Sequence, residues 1–144
     1  MTYSDPVDNF TYFSEELCSR ADDALRQAFL LCMDRKVAHS ITDGIFKKLA
    51  DDLVNTRNEN NISKLIVRES WAWVKDMGNV EMKHDNNEIV ELFKGVSLEG
   101  RAALGAVDFL GLTAEDAGQA LGMSDDDLRM YLVEGRKALL NKKL

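Results

Sequence analysis

The sequence predicts an all-α protein made of two small helical lobes. Across its 144 residues, apolar side chains recur at three- and four-residue steps, and no segment alternates apolar and polar residues over five or more positions. A single proline and nine glycines are too few for the frequent turns of a β-sandwich or barrel. Hydrophobic residues make up 45% of the chain, which is enough for a packed core.

The first lobe is predicted to span residues 1–77 and to contain three helices. The first apolar stripe runs from Phe10 to Leu31, and the second runs from Val37 to Leu53 in strict four-residue steps. The polar run at residues 55–61 has the composition of a loop. The third helix fits residues 62–77, with a buried face that consists of Ile62, Leu65, Ile66 and Trp73. Trp71 lies two positions from Trp73 and therefore faces another direction, which leaves a protein interface open for it.

Residues 78–95 are predicted to link the lobes, because the apolar pattern weakens there and residues 83–87 are wholly polar. The second lobe, residues 96–144, begins with a helix from Leu98 to Leu110 that Gly111 closes. Each lobe alone is near the size at which a core is marginal, so we expect the lobes to pack on each other or on a partner.

Two short signals predict a helix-turn-helix in the second lobe. Thr113 with Asp116 three positions later resembles a capping box, and Leu121-Gly122 ends the helix that it opens. Ser124 and the three aspartates that follow it begin another helix, whose core face carries Leu128 and Leu132. The same outline also fits an ordinary tight helical hairpin.

Composition and residue spacing exclude several classes of protein. A net charge of -7 argues against indiscriminate binding to nucleic acid, and the apolar runs are too short to span a membrane. Cys18 and Cys32 lie in helical patterns, which favours free thiols in a cytoplasmic protein. His39 and His84 have no second ligand at metal-binding spacing, and the chain has no phosphate loop. We therefore expect no enzyme activity, catalytic residue, metal, cofactor or small-molecule substrate.

Residues 112–124 carry the clearest family resemblance. They read Leu-Thr-Ala-Glu-Asp-Ala-Gly-Gln-Ala-Leu-Gly-Met-Ser and resemble the stretch before the recognition helix of bacterial extracytoplasmic-function sigma factors. Residues 98–104 and 135–139 resemble the helix before that stretch and the end of the recognition helix. Residues 38–46 and 61–76 fall in register with the polymerase-binding segment and the promoter-melting helix. The resemblance implies a region 2-like bundle followed by a region 4-like helix-turn-helix.

The departures from the family pattern concern charge. The polymerase-binding segment has His39, Ser40, Asp43 and Gly44 where the family carries Glu, Asp, Gln and Glu. In the recognition helix, Asp127, Tyr131 and Glu134 replace a threonine and two arginines of the family pattern, and Arg129 is kept. The scaffold of a DNA reader is present, and much of its phosphate-binding chemistry is missing.

Three hypotheses follow. The first is a transcription regulator that acts in initiation by binding RNA polymerase core and promoter DNA. Its predicted DNA-binding residues are Ser124, Arg129, Tyr131, Arg136 and Lys137, and its predicted polymerase or partner interface is His39, Asp43, Phe46, Lys47 and Trp71. The second is a sigma-mimicking protein that binds an anti-sigma factor, or polymerase, without reading DNA. The third is a helical adaptor whose resemblance is accidental.

Overall fold

The computed structural model describes residues 19–51, 61–77 and 87–143, and all of its regular elements are helical. In chain order these are α1 (Ala21–Cys32), α2 (Arg35–Asp51), α3 (Ile62–Met77), α4 (Glu88–Phe93), α5 (Leu98–Leu104), α6 (Ala114–Leu121) and α7 (Asp125–Lys143). A π-helical turn, Gly105–Phe109, continues α5. The predicted all-α class is therefore confirmed. The predicted apolar stripe at residues 10–18 and most of the predicted loop at 55–61 lie outside the described residues.

Short polar side chains begin the helices of the C-terminal half, and the sequence predicts two of these caps, Thr113 and Ser124. Asn87, Ser97, Thr113 and Ser124 each accept a hydrogen bond from the backbone N–H three positions later, at 3.0 to 3.1 Å. Each bond satisfies one of the backbone donors that a helix start leaves unpaired. Gly122, at φ +65°, ends α6 in the left-handed region that glycine adopts without steric cost.

One hydrophobic core extends through both halves of the chain. Helix α1 packs against α2, α3 and α5, while α3 also packs against α6. Helix α7 packs against α5 and α6, and Leu121, Leu128 and Leu132 are buried there as predicted. Helix α4 lies within the predicted linker and buries Val90 and Phe93. Residues 78–86 of that linker lie outside the described part of the chain.

Arg101 holds the two halves together through the C-terminal end of α1. Its guanidinium donates from Nε to the carbonyl oxygen of Leu30 at 2.6 Å and from Nη2 to that of Leu31 at 3.2 Å. It also donates from Nη1 to the carbonyl oxygen of Val96 at 2.8 Å. The last carbonyls of a helix have no intrahelical partner and carry partial negative charge. Arg101, which lies in α5, therefore caps α1 from the other half of the molecule.

Further polar contacts cross between the two halves. The fully buried Gln27 donates from Nε2 to the carbonyl oxygen of Ala102 at 3.4 Å. Gly105 makes room for this side chain, because a Cβ atom at Gly105 would lie 2.0 Å from Gln27 Oε1. On the other side, Lys64 Nζ lies 3.6 Å from Asp116 Oδ1. The halves are joined by specific polar contacts as well as by apolar packing.

The prediction that Trp73 belongs to the core and Trp71 to an interface is wrong. Trp71 is 8% exposed and Trp73 is 39% exposed. The indole of Trp73 lies over α2 at Gly44, where an added Cβ would be only 2.5 Å from its Cζ2 atom. The other three residues of the predicted buried face, Ile62, Leu65 and Ile66, are buried as predicted. Trp71 takes the inner position, and Trp73 covers a glycine on the surface.

Candidate functional site: the helix-turn-helix and the surface of α2

Helices α6 and α7 are joined by the three-residue turn Gly122–Ser124, which is the outline that the sequence predicts for a helix-turn-helix. The backbone N–H of Met123 donates to the carbonyl oxygen of Gly118 at 2.9 Å, which closes the turn. Gly118 permits this close approach, because a Cβ there would lie 3.0 Å from the carbonyl oxygen of Met123. Leu128 is fully buried one turn into α7, the helix that packs against α6. The turn hydrogen bond, the close approach at Gly118 and the buried Leu128 all involve residues between positions 113 and 128.

The N-terminal end of α7 is acidic and exposed. Ser124 accepts from the backbone N–H of Asp127 at 3.1 Å, so its hydroxyl is engaged as a helix cap. Asp125, Asp126 and Asp127 form the first turn and are all exposed. Carboxylates at this end stabilise the helix through its dipole. The same carboxylates would face DNA phosphates at distances within the ~8 Å Debye length.

The cations predicted to bind DNA occupy different environments. Arg129 and Lys137 are exposed, with no ion pair to a described residue. Arg136 donates from Nη2 and Nε to the two carboxylate oxygens of Asp108 at 2.7 and 3.0 Å. This hydrogen bonding raises the pKa of Arg136, and its charge is balanced by Asp108 within the protein. Tyr131 is half-buried and packs against the core. Of the five predicted residues, two therefore present uncompensated positive charge.

The exposed side of α2 brings together three of the predicted interface residues. His39, Asp43 and Lys47 follow one another at four-residue steps and are all exposed. Phe46 is partly buried against the core. The half-exposed indole of Trp73 lies beside this stripe over Gly44. Trp73 therefore takes the surface place that the sequence analysis gave to Trp71.

The surface position of Trp73 was not predicted from the sequence. Gly44, which accommodates its indole, was interpreted only as a position where the family's glutamate is missing. A glycine inside a helix costs about 1 kcal/mol relative to alanine, so its presence indicates a close approach by another group. Gly44 was the available signal for the position of the indole.

Neither a metal site nor a membrane span is found in the part of the chain that the structure describes. No three histidine, cysteine or acidic side chains among those residues are grouped to hold a metal ion. None of the described helices is both long enough and apolar enough to cross a bilayer. Cys32 is a buried thiol outside any disulfide, and Cys18 lies outside the described residues.

The architecture is similar to that of a known sigma factor. The chain superposes with a TM-score of 0.72 on the sigma factor RpoE from Bartonella quintana, which was crystallised in complex with the anti-sigma factor NepR. The likeness covers 90% of this chain and 94% of the RpoE chain at 14% sequence identity. No protein-family model and no curated protein matches the sequence. The resemblance drawn from residues 98–139 is confirmed as a likeness of fold.

Proposed function

We propose that this protein is a sigma factor-like regulator of transcription that acts by binding a partner protein and does not read promoter DNA. The proposal corresponds to the second of the three sequence hypotheses. The observation that carries it is the exposed acidic first turn of α7, Asp125 to Asp127, at the helix end that reads base edges in a helix-turn-helix.

Charge along the helix supports the same assignment. Between residues 125 and 137, α7 carries four carboxylates and three cations, and one of those cations is paired with Asp108. Readers of DNA place cations and hydroxyl groups against the phosphate backbone. This surface is complementary to a basic protein segment rather than to a nucleic acid.

The likeness of fold supports one kind of partner. The superposed sigma factor was crystallised with an anti-sigma factor. A chain with the same architecture and an acidic recognition helix is suited to occupy such a regulator and so keep it from a true sigma factor. We therefore propose a helical anti-sigma factor with a basic face as the partner.

A second candidate is the promoter reader that also binds RNA polymerase. The exposed cations Arg129 and Lys137 favour it, because both can reach phosphates, and the α2 stripe of His39, Asp43 and Lys47 favours a polymerase contact. Two phosphate contacts would give a shallow salt dependence, since each neutralised phosphate adds about 0.9 to the slope of log affinity against log salt.

Removal of the acidic turn distinguishes these functions. We expect Asp126→Gly with Asp127→Thr to leave affinity for duplex DNA undetectable and to slow association with the partner protein, because electrostatic steering acts mainly on the association rate. The partner is first identified by affinity purification from the native cell. Its binding constant and that of duplex DNA are then measured at two salt concentrations.

The matched control is Asp22→Asn with Asp51→Asn. It changes the net charge by the same two units at exposed positions outside the helix-turn-helix, and partner binding should stay close to that of the original protein. A gain in DNA affinity of about 1 kcal/mol per removed carboxylate, seen only in the α7 variant, would contradict the proposal and support promoter reading.

A further inference from the structure

The outer side of α7 carries an apolar seam that none of the described residues covers. Met130, Val133 and Leu140 form this seam and are 44%, 48% and 61% exposed. Their spacing of three and seven residues places them on one face of the helix. Three of the six large apolar side chains that are exposed in the described part of the chain thus lie on a single helix face, and such a concentration indicates an interaction surface.

Two charged residues belong to the same face. Asp126 lies four positions before Met130, and Lys137 lies between Val133 and Leu140. Successive members of the face are therefore separated alternately by four and three residues. This alternation is the heptad spacing of helices that pack along a common seam. Both charged side chains are exposed, and neither forms an ion pair with a described residue.

The order of these residues is complementary to its own reverse. When a second α7 lies antiparallel with its Val133 opposite Met130, its Lys137 lies opposite Asp126, because both pairs are symmetric about the midpoint between residues 131 and 132. Two-fold symmetry makes each contact occur twice, which gives an apolar centre between two ion pairs. A parallel arrangement is disfavoured, because Asp126 and Lys137 would each oppose their own copies.

The charges beside the seam limit the strength of this pairing. On one edge, Arg129 would lie near Arg136 of the second copy, whose charge Asp108 balances. On the other edge, Asp127 and Glu134 would face the same two residues of the second copy. Repulsion along this acidic edge opposes association, and salt screens it. We therefore expect a weak dimer that forms as the protein concentration rises.

We propose that this chain forms an antiparallel, two-fold symmetric dimer through the outer face of α7. The dimer covers Asp126, which belongs to the acidic turn that we assign to partner binding, so self-association and partner binding exclude one another. The pairing itself does not rest on the proposed function, because it needs no partner protein and is measured on the purified chain alone.

Exchange of the two seam charges tests the pairing by sedimentation equilibrium of the full-length chain. Asp126→Lys and Lys137→Asp should each raise the dimer dissociation constant about tenfold, because two attractive pairs become repulsive. The variant with both changes restores opposite charges and should return the constant to within about threefold of the original. A double variant that dimerises no better than the single ones would overturn the proposal, as would an original chain that stays monomeric up to about 1 mM.

The matched control is Asp22→Lys. It makes the same charge change in the first turn of another helix, α1, where Asp22 is exposed. The dissociation constant should stay unchanged in this variant, and circular dichroism verifies that every variant retains its helices. An equal loss of dimer in the control would show that net charge, and not the seam, governs association and would refute the pairing.

Disulfide trapping tests the direction of the two helices. A mixture of the Asp126→Cys and Lys137→Cys proteins is oxidised mildly, and mass spectrometry identifies each disulfide, including any to Cys18 or Cys32. The mixed disulfide should predominate, because the two positions face each other in the antiparallel dimer, whereas identical positions lie about 16 Å apart along the axis. Predominant disulfides between identical positions, or none of the three, would overturn the proposed arrangement.

Discussion

Arg101 is a charged side chain whose three hydrogen-bond acceptors are neutral carbonyl oxygens. Burial lowers the pKa of its guanidinium, and the nearby Cys32 and Glu99 act in the opposite direction. An arginine stays protonated at any pH at which the protein would be studied. Its planar set of donors reaches three carbonyls at once, which the single ammonium group of a lysine cannot do in the same geometry.

Replacement of this guanidinium should destabilise the protein strongly. We expect Arg101→Leu to lower the free energy of unfolding by roughly 3 kcal/mol, because hydrogen bonds from a charged donor are lost and buried carbonyls are left unpaired. Arg101→Lys should retain part of that stability. Urea denaturation followed by circular dichroism measures both. The control is Arg129→Leu on the exposed side of α7, where a change of about 0.5 kcal/mol or less is expected. An Arg101→Leu protein as stable as this control would show that the capping contact contributes little.

At the scale of single elements, α7 combines two roles on two faces. Leu128 and Leu132 are buried against α5 and α6, while Met130 and Val133 are exposed. Gly135 lets the helix approach α5, because a Cβ there would lie 2.8 Å from Leu104 Cδ1. The packing face thus positions α7, and the outer face leaves its charges exposed.

The register of α7 can be tested by truncation of neighbouring side chains. Leu132→Ala should lower the free energy of unfolding by about 2–5 kcal/mol, as for other buried leucines whose removal leaves a cavity. Val133→Ala, at the next position and 48% exposed, should change it by about 0.5 kcal/mol or less. Thermal or urea unfolding gives both values. Equal effects at the two positions would mean that the buried and exposed faces are wrongly assigned.

The sequence predicted the helix boundaries that depend on contacts between residues close together in the chain. The bounds of α6 and the start of α7 were predictable because Thr113, Gly122 and Ser124 each act on a neighbour within a few positions. The cap that Arg101 provides was not, because its acceptors on α1 lie 70 and 71 positions away. The α4 helix was missed because six residues are too few to show a helical period.

The same distinction applies to the candidate site. Exposure of Arg129 and Lys137 follows from the helical pattern of α7 itself. The pairing of Arg136 with Asp108 does not, because the two residues are 28 positions apart and meet only through the packing of α5 against α7. Similarly, whether Trp71 or Trp73 faced inward depended on Gly44 in another helix.

At the scale of the whole molecule, the continuous core predicts one cooperative unfolding transition. Both tryptophans lie in α3, so their fluorescence reports the N-terminal half, whereas far-ultraviolet circular dichroism reports the helices of both halves. Because α1 and α3 pack against helices of the C-terminal half, the two signals should give the same urea midpoint. Midpoints that differ beyond experimental error would show that the halves unfold separately, in spite of their shared core.

The π-helical turn has a consequence for how this chain is compared with others. The backbone N–H of Leu110 donates to the carbonyl oxygen of Gly105, five positions earlier, so the turn holds one residue more than an α-helix would. That extra residue rotates the directions of all following side chains by about 100° around the helix axis. A sequence alignment that treats residues 98–110 as one regular α-helix therefore pairs the wrong residues after the turn. An aligned sigma factor with a regular helix at this place needs a one-residue gap opposite Gly105–Phe109 before the later positions correspond.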